Sequence, residues 1–340
     1  MGAILVTGGA GYVGSHVCKA LARAGHLPVA YDDLSLGHDW AVKWGPLERG
    51  DIQDRVRLEE VIGRYRPEAV MHFAASAFVG ESVADPAKYY RNNLVGSHTL
   101  LDAMRAAGLD RLVFSSTCAT YGVPDALPIT EDQLQAPINP YGSTKLMVEQ
   151  MMADYGRAYG LKSVALRYFN AAGADPDGEI GEVHDPEPHL IPLVLDAALG
   201  ARPSVTIFGE DYATPDGTCV RDYVHVSDLA QAHLLALASL EAAKGFKAYN
   251  LGVGAGLSVA EVISAARRVT GRRIPVEVGP RRPGDPAILT ADAGRARREL
   301  GWTPRFTEVE DMIGSAWRWR LSRPPEARAE ARQEPHGAAG

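Results

Sequence analysis

Thr7-Gly8-Gly9-Ala10-Gly11-Tyr12-Val13-Gly14 follows the apolar run Ala3-Ile4-Leu5-Val6 and leads into Ser15-His16-Val17-Cys18-Lys19-Ala20-Leu21. An apolar, β-branched run, a glycine cluster and then apolar residues at helical spacing (Val13, Val17, Leu21) predict a strand, a tight turn and a helix. Glycine lets such a turn adopt positive φ and lets backbone N–H groups approach a pyrophosphate at the positive end of the helix. Gly9-x-Gly11-x-x-Gly14 fits a dinucleotide-binding fingerprint, and Gly8-x-x-Gly11-x-x-Gly14 fits a related spacing. Asp32 closes the next apolar run, Leu27-Pro28-Val29-Ala30-Tyr31, about 20 residues beyond the glycines, where a ribose-binding acid belongs. A phosphate-binding loop of the nucleotide triphosphatase type is excluded, because Ser15 rather than lysine follows Gly14.

A chain of 340 residues accommodates about two domains of roughly 150 residues, enough to bury a real core. Hydrophobic content of 46% and charged content of 23% are values of a globular chain. No apolar run reaches the roughly 18 residues that span a bilayer. The first residues lack a basic segment followed by a cleavage site, and Val6 stands where a myristoylation signal needs Ser or Thr. A soluble, cytoplasmic protein is expected. Cys18, Cys118 and Cys219 lie apart without metal or redox spacing, as buried thiols in a reducing compartment do. A formal net charge of -7 is opposite to the basic footprint that nucleic acid demands. The ten histidines include no His-Glu-x-x-His or other ligand pattern, so no metal is expected.

Beyond Asp32, Pro46 to Arg49 and then Gly50-Asp51-Ile52 predict a short strand whose end reaches toward an adenine. A helix through Val56, Leu58, Val61 and Ile62 follows. Ala69-Val70-Met71-His72-Phe73 is an unbroken apolar run of the kind buried on both faces of a parallel sheet; it ends in Ala74-Ala75, small enough to let a ligand approach. Pro86 to Ala107 predicts one long helix, and Arg111-Leu112-Val113-Phe114-Ser115 the next strand. Strands alternating with helices imply right-handed βαβ units and a Rossmann-type doubly wound parallel sheet in an α/β protein. Ligands of such sheets lie beyond the carboxyl ends of the strands, where Gly8 to Gly14, Asp32, Ala74-Ala75 and Ser115-Ser116-Thr117 all fall.

Asn139-Pro140-Tyr141-Gly142-Ser143-Thr144-Lys145 opens another helix, with Pro140 suited to its first turn. Tyr141 and Lys145 are four residues apart and share one helix face. A phenol with pKa of about 10 is a poor base at neutral pH, and a nearby ammonium favours the phenolate. A shift of about three units corresponds to roughly 4 kcal/mol, which a close lysine and a cationic nicotinamide would supply jointly. Val164 to Phe169 predicts a further strand ending at Asn170. From Ala171 to Pro188 the chain turns to Gly, Asp, Pro and Glu, as at a domain boundary or in an irregular loop. The second region carries a helix around Leu190 to Leu199, a strand Val205-Thr206-Ile207-Phe208, the segment Arg221 to Val226, helices from about Ser227 to Ala242 and Ser258 to Thr270, and a strand near Tyr249-Asn250-Leu251. Trp317 and Trp319 close a last helix. The expected boundaries are 1–172, 173–321 with segments returning to the first domain, and a disordered tail at 322–340.

Several ordered segments together resemble the extended short-chain dehydrogenase/reductase family, and within it the enzymes that invert carbon 4 of UDP-glucose and UDP-galactose. They are Val-Thr-Gly-Gly-Ala-Gly-Tyr-Val-Gly-Ser-His (6 to 16), His-Phe-Ala-Ala (72 to 75), Val-Gly-Glu-Ser (79 to 82), Tyr-Gly-Ser-Thr-Lys (141 to 145), Arg-Tyr-Phe-Asn (167 to 170), Asp-Gly-Thr-Cys-Val-Arg-Asp-Tyr-Val-His-Val (216 to 226) and Arg-Arg-Pro-Gly-Asp (281 to 285). The resemblance implies an NAD-dependent isomerase, with Asp32 on the adenosine ribose, Lys145 on the nicotinamide ribose, and Asn92 and Ser115 along the cofactor. It adds Tyr12, Val13, Asp33, Asp51, Ile52, Phe73 and Tyr168 to that set. Thr117 and Tyr141 would face the sugar, and Asn170, His189, Leu190, Thr206, Phe208, Arg221, Arg282 and Asp285 the UDP part.

The implied reaction passes a hydride from carbon 4 to NAD and back to the opposite face, while Tyr141, directly or through Thr117, takes the hydroxyl proton. Related 4,6-dehydratases carry an acid pair after the Thr, where this chain has Cys118-Ala119-Thr120-Tyr121. A 4-epimerase of UDP-pentose, UDP-glucuronate or UDP-N-acetylhexosamine shares these motifs. A non-catalytic NAD sensor would have lost Tyr141 or Lys145. Two departures from many relatives are Ala77, in place of a lysine near the pyrophosphate, and His189, in place of Asn. Leu289 falls where relatives carry Tyr, or Cys or Ser when N-acetylated sugars also fit. Relatives are often homodimers through the two helices after Pro86 and Pro140, and a homodimer is expected here.

Overall fold

The computed structural model describes residues 2–282 and 285–323. Six strands follow one another through the first half of the chain: β1 (Ala3–Thr7), β2 (Leu27–Asp32), β3 (Leu47–Arg49), β4 (Ala69–His72), β5 (Arg111–Thr117) and β6 (Lys162–Tyr168). With the later strand Phe246–Leu251 they form a seven-stranded sheet in the order Phe246–Leu251, β6, β5, β4, β1, β2, β3, every ladder parallel. The chain reverses its winding between β1 and β4. That switch point opens the crevice in which doubly wound sheets bind ligands. β1 and β4 are apolar up to their last residues, Thr7 and His72, because helices cover both faces, and Ile4, Leu5, Val6, Val70 and Met71 are buried.

The helix Tyr12–Arg23 packs Val17 and Leu21 into one face of the sheet, against Leu229 and Ala230 of the helix Val226–Ser239. The opposite face is closed by the helices Arg55–Tyr65, Gly96–Ala106 and Pro140–Tyr159. The long helix expected from Pro86 is interrupted: Pro86–Tyr89 and Gly96–Ala106 flank a π-helical turn, Tyr90–Val95. The extra residue per turn brings Asn93 under the end of β4, where its carboxamide accepts from the Ser76 N–H at 2.8 Å and donates to the Thr144 hydroxyl at 3.2 Å.

A second core gathers Ile191, Val194, Leu195, Val262, Ile263, Met312 and Ile313. Around it lie the parallel pair Val205–Phe208 and Val276–Gly279, and a small sheet of Asn170–Ala172, Val220–His225, Gly256–Ser258 and Ile288–Leu289. Between these elements the chain returns to the first core through Val226–Ser239, Phe246–Leu251 and Gly294–Leu300. Trp302 seals that return, its indole N–H donating to the Asp228 carbonyl at 2.9 Å. Ser322 ends the last helix, Val309–Ser322, and Arg323 is buried. Residues 322 and 323 of the expected tail are thus described, and 324–340 lie outside the described residues. Among the described residues no helix is long and apolar enough to cross a membrane.

Candidate active site

The loop after β1 turns through Gly8 at φ +73°, where a Cβ would lie 2.5 Å from the Ala74 nitrogen. A Cβ on Gly14 would lie 2.1 Å from the Gly8 carbonyl oxygen, so packing of strand, loop and helix requires glycine at both positions. At Gly11 a Cβ would meet only the Gly8 oxygen, at 3.3 Å. Packing hardly restricts this position, whereas the close approach of a pyrophosphate to the backbone demands glycine there. The cradle therefore fits a dinucleotide.

Asp32 is buried at the end of β2. One carboxylate oxygen accepts from the Ala10 N–H at 3.0 Å and the other from the Leu34 N–H at 2.9 Å. Burial pushes its pKa up against these two donors. Each oxygen keeps a second lone pair for a ribose hydroxyl. Asp33 is exposed and caps its own turn by accepting from Ser35. Asp51 is exposed as well, with its carboxylate accepting from the Gln53 N–H at 2.8 Å, while Ile52 is buried. Phe73, Ala74 and Ala75 follow β4, and the Phe73 and Ala74 N–H groups both donate to the Thr7 carbonyl. The Phe73 ring rests on His233 at 4.7 Å. Val13 packs on the first core, and the Tyr12 hydroxyl donates to the Gly173 carbonyl at 2.6 Å, joining the cradle to the start of the second region. Asn92 faces Ser76 at 3.4 Å.

At the end of β5, Ser115, Thr117, Tyr141, Lys145 and Tyr168 come together. Asn139 caps the helix Pro140–Tyr159 by accepting from the Gly142 N–H at 2.8 Å. A Cβ on Gly142 would lie 2.4 Å from the Ala119 carbonyl oxygen, so this helix starts directly on the short turn Cys118–Thr120 that follows Thr117. One turn on, Lys145 Nζ donates to the Ser115 carbonyl at 2.8 Å and stands 5.9 Å from the Tyr141 ring centre. The Ser115 and Tyr168 hydroxyls share a short hydrogen bond. Burial pushes the Tyr141 phenol well up, the Tyr168 phenol adds to this, and a hydrogen bond with Thr117 opposes it. Burial also pushes Lys145 down to about 7, with the Glu149 carboxylate opposing.

In the second region Arg221 pairs with Asp285, and the guanidinium of Arg282 lies 4.2 Å from the centre of the Phe208 ring. Phe208 is 37% exposed and is not a core residue. The Asp285 carboxylate turns to Arg221 and not to its neighbour in sequence, Arg282; Pro283 and Gly284 between them lie outside the described residues. Leu289 pairs in register with Arg221 and packs on the cluster of Tyr121, Ile129, Phe169 and Ala291, on which Cys118 also packs. The positive charge of Arg221 is felt by the Cys118 thiol, next to Thr117. Asn170 pairs with Tyr223 on the same small sheet, Thr206 lies two residues before Phe208, and Leu190 begins the helix Leu190–Leu199. His189 precedes that helix, its Nδ1 2.6 Å from Glu182 Oε1.

Residues 4–252 match the model of the NAD dependent epimerase/dehydratase family. The chain belongs to this family. UDP-glucose 4-epimerase of Rhizobium meliloti (strain 1021) is 55% identical over 320 residues, 94% of this chain and 97% of that protein. The crystal structure of UDP-glucose 4-epimerase from Brucella ovis in complex with NAD is 55% identical, with a TM-score of 0.91 over 93% of this chain and 98% of that one. The UDP-glucose 4-epimerase of Bifidobacterium longum, in complex with NAD+ and UDP, is 39% identical, with a TM-score of 0.90 over 95% and 99%.

Burial of the Tyr141 phenol outweighs its protein neighbours, so favouring the phenolate calls on the cationic nicotinamide as well as Lys145, as the sequence reading expected. A buried ion pair beside Lys145 is not among the residues the sequence singled out. Glu149, one turn further along the same helix face, is buried with Arg167 of β6 in a bidentate pair at 2.6 to 3.1 Å and accepts from the Ser116 hydroxyl at 2.5 Å. Their spacing from Lys145 and Tyr168 was the available signal. Glu182, His184 and Glu187, which surround His189, were passed over as part of an irregular loop.

Proposed function

We propose that this chain is a UDP-glucose/UDP-galactose 4-epimerase working on NAD, and that Tyr141, Thr117 and Lys145 are its reacting centre. The observation that supports the reading is Tyr141 beside Thr117 at the end of β5, next to a cradle shaped for a dinucleotide. The names borne by the relatives from Rhizobium meliloti and Brucella ovis support it.

Gly8, Gly11 and Gly14 would hold the pyrophosphate of NAD and Asp32 its adenosine ribose, with Lys145 and Ser115 at the nicotinamide end. When bound, NAD supplies the acceptor that takes the hydrogen of sugar carbon 4 with its electron pair and later returns it. Tyr141 oxygen takes the proton of the carbon-4 hydroxyl, directly or relayed through Thr117, as the carbon–oxygen double bond forms, and gives it back after the sugar has turned. A buried phenol needs neighbouring positive charge to do this at neutral pH. Lys145 provides part of it, and its hydrogen bond to Ser115 fixes where that charge sits.

Inversion needs the nucleotide held firmly and the hexose held loosely. Arg221 and Arg282 suit the diphosphate because a guanidinium donates in a fork that matches its oxygens, and Phe208 offers a flat face to uracil. A 4,6-dehydratase reading is disfavoured, since the turn Cys118–Thr120 presents no acid beside Thr117. Residues 1–172 would serve the cofactor and 173–321 the nucleotide sugar. We further propose a cytoplasmic homodimer. It would form through an apolar groove lined by Leu94, Val95, Met147 and Met151 on the two helices after Pro86 and Pro140.

The test is incubation of the purified protein with UDP-galactose and no added cofactor. UDP-glucose should form, and the denatured protein should release NAD rather than NADP, because Asp32 repels a 2′-phosphate. Absence of UDP-glucose from protein that carries NAD, or dependence on NADP, would overturn the reading.

A further inference from the structure

The loop before the helix Leu190–Leu199 carries a second constellation, Glu182-x-His184-x-x-Glu187-x-His189. One ligand atom from each residue converges on a common point, all within 4.8 Å of one another. His184 Nδ1 stands 3.4 Å from Glu182 Oε1 and 3.5 Å from Glu187 Oε1. His189 Nδ1 stands 2.6 Å and 3.5 Å from the same two oxygens. A tetrahedral ion with bonds of about 2.0 to 2.1 Å sets its ligand atoms about 3.3 Å apart. Three of these four separations already match that edge, and the shortest needs to open by about 0.7 Å.

The two imidazoles and two carboxylates stand as an ion-pair network, and the surroundings also suit a cation at its centre. Glu182 and Glu187 retain only 7% and 10% of their side-chain exposure. Both imidazoles face the Glu182 carboxylate. Both Nδ1 atoms are shut off from solvent and face these oxygens without the geometry of an ordinary N–H hydrogen bond. The Phe78 ring presents an apolar wall to His184 and His189, with ring centres 5.6 and 6.3 Å away. Two carboxylates and two neutral imidazoles around a divalent ion make a neutral set, which suits a place where His189 is 43% exposed and the other three side chains are largely buried. The acidic group Asp175, Asp177 and Glu179 is a useful contrast, because the Lys19 ammonium already sits among its oxygens at 2.5 to 2.8 Å.

We propose that Glu182, His184, Glu187 and His189 bind a structural divalent transition-metal ion, zinc by donor set and geometry, which fixes the loop leading into the helix Leu190–Leu199. Two imidazole nitrogens and two carboxylate oxygens at tetrahedral spacing select zinc over the larger, oxygen-seeking calcium and the octahedral magnesium. The ion would lie between Phe78, which follows β4, and the segment that places His189 and Leu190. This proposal does not depend on the epimerase reading, because its measurements need no turnover.

Untagged holoprotein is treated with a chelator, dialysed, and loaded with zinc or cobalt(II) chloride. One zinc per chain after removal of excess metal is expected. The cobalt form should show the intense visible absorption of a four-coordinate centre, and zinc should raise the thermal midpoint by binding the folded state. His184→Gln and Glu187→Gln should each lose the bound zinc and the cobalt absorption, whereas Cys219→Ser should keep both. Wild-type protein that retains no zinc, a cobalt spectrum of six-coordinate type, or full metal content in both variants would overturn the proposal. The wild-type measurement decides even if a variant fails to fold.

Discussion

Lys145 Nζ donates to the carbonyl oxygen of Ser115 at 2.8 Å, so the ammonium is held by the backbone of β5 and not by a carboxylate. Its charge is thereby left to act on Tyr141, four residues earlier on the same helix. Lys145→Met should lose turnover and move the basic limb that governs phenolate formation to higher pH, because the phenol then loses its nearest cation. A pH–rate profile of the two proteins checks this; an unmoved limb would contradict the role.

Tyr141→Phe removes the proton acceptor while leaving the ring against Tyr89, 6.4 Å away between centres. Loss of a general base costs about 10²- to 10⁴-fold in rate. The variant should keep the circular dichroism and cofactor content of the wild type and lose turnover by that factor. Wild-type-like kcat would refute the assignment.

How much of this was legible in the sequence follows from which contacts are local. β1, β4 and β5 announce themselves as apolar runs because a parallel sheet buries both faces of its strands. The glycine loop, Asp32 and the Tyr141–Lys145 pair are each set by spacing along one strand or helix. The joining of Phe246–Leu251 to β6 is not local. It depends on pairings across some eighty positions and on Asn250, whose buried carboxamide bonds to the Tyr121 hydroxyl and the Ile129 carbonyl. The π turn at Tyr90–Val95 leaves the helical residue pattern intact, so nothing in the order of residues marks it. Asp285 had two arginines within reach in sequence, and only the fold shows that it turns to Arg221 and leaves Arg282 to stack on Phe208.

Leu289 lies beside Arg221 in the small sheet and packs on the same cluster as Cys118, the residue after Thr117. An N-acetyl group forced against a leucine side chain meets overpacking of about 1 to 3 kcal/mol, or roughly tenfold to 200-fold in specificity. Leu289→Ser should therefore raise kcat/KM for UDP-N-acetylgalactosamine relative to UDP-galactose within that range. An unchanged ratio would mean that Leu289 does not limit the size of the sugar.

Four histidines are buried in the neutral form: burial lowers His16 and His233 to about 4 and His72 and His225 to about 3. Unfolding restores each to the ordinary value of about 6.5, so below that pH the unfolded chain binds protons that the folded one does not. Stability should fall as pH drops below about 6.5, by up to roughly 1.4 kcal/mol per pH unit for each histidine. His184 and His189, raised against their burial to about 9 and about 10 by the Glu182 and Glu187 carboxylates, oppose this above about 6.5, and their opposition fades below it. Thermal midpoints between about pH 7.5 and 5 measure this window. A flat profile there would show that the buried imidazoles carry protons in the folded state.

The central claim is that one hydrogen leaves carbon 4 and returns to the same carbon without meeting solvent. UDP-galactose deuterated at carbon 4 of the sugar, incubated with the purified protein in ordinary water, tests it most directly. The product should be UDP-glucose with the deuterium still on carbon 4. UDP-glucose in which that position has exchanged with water, or no UDP-glucose at all, would contradict the account.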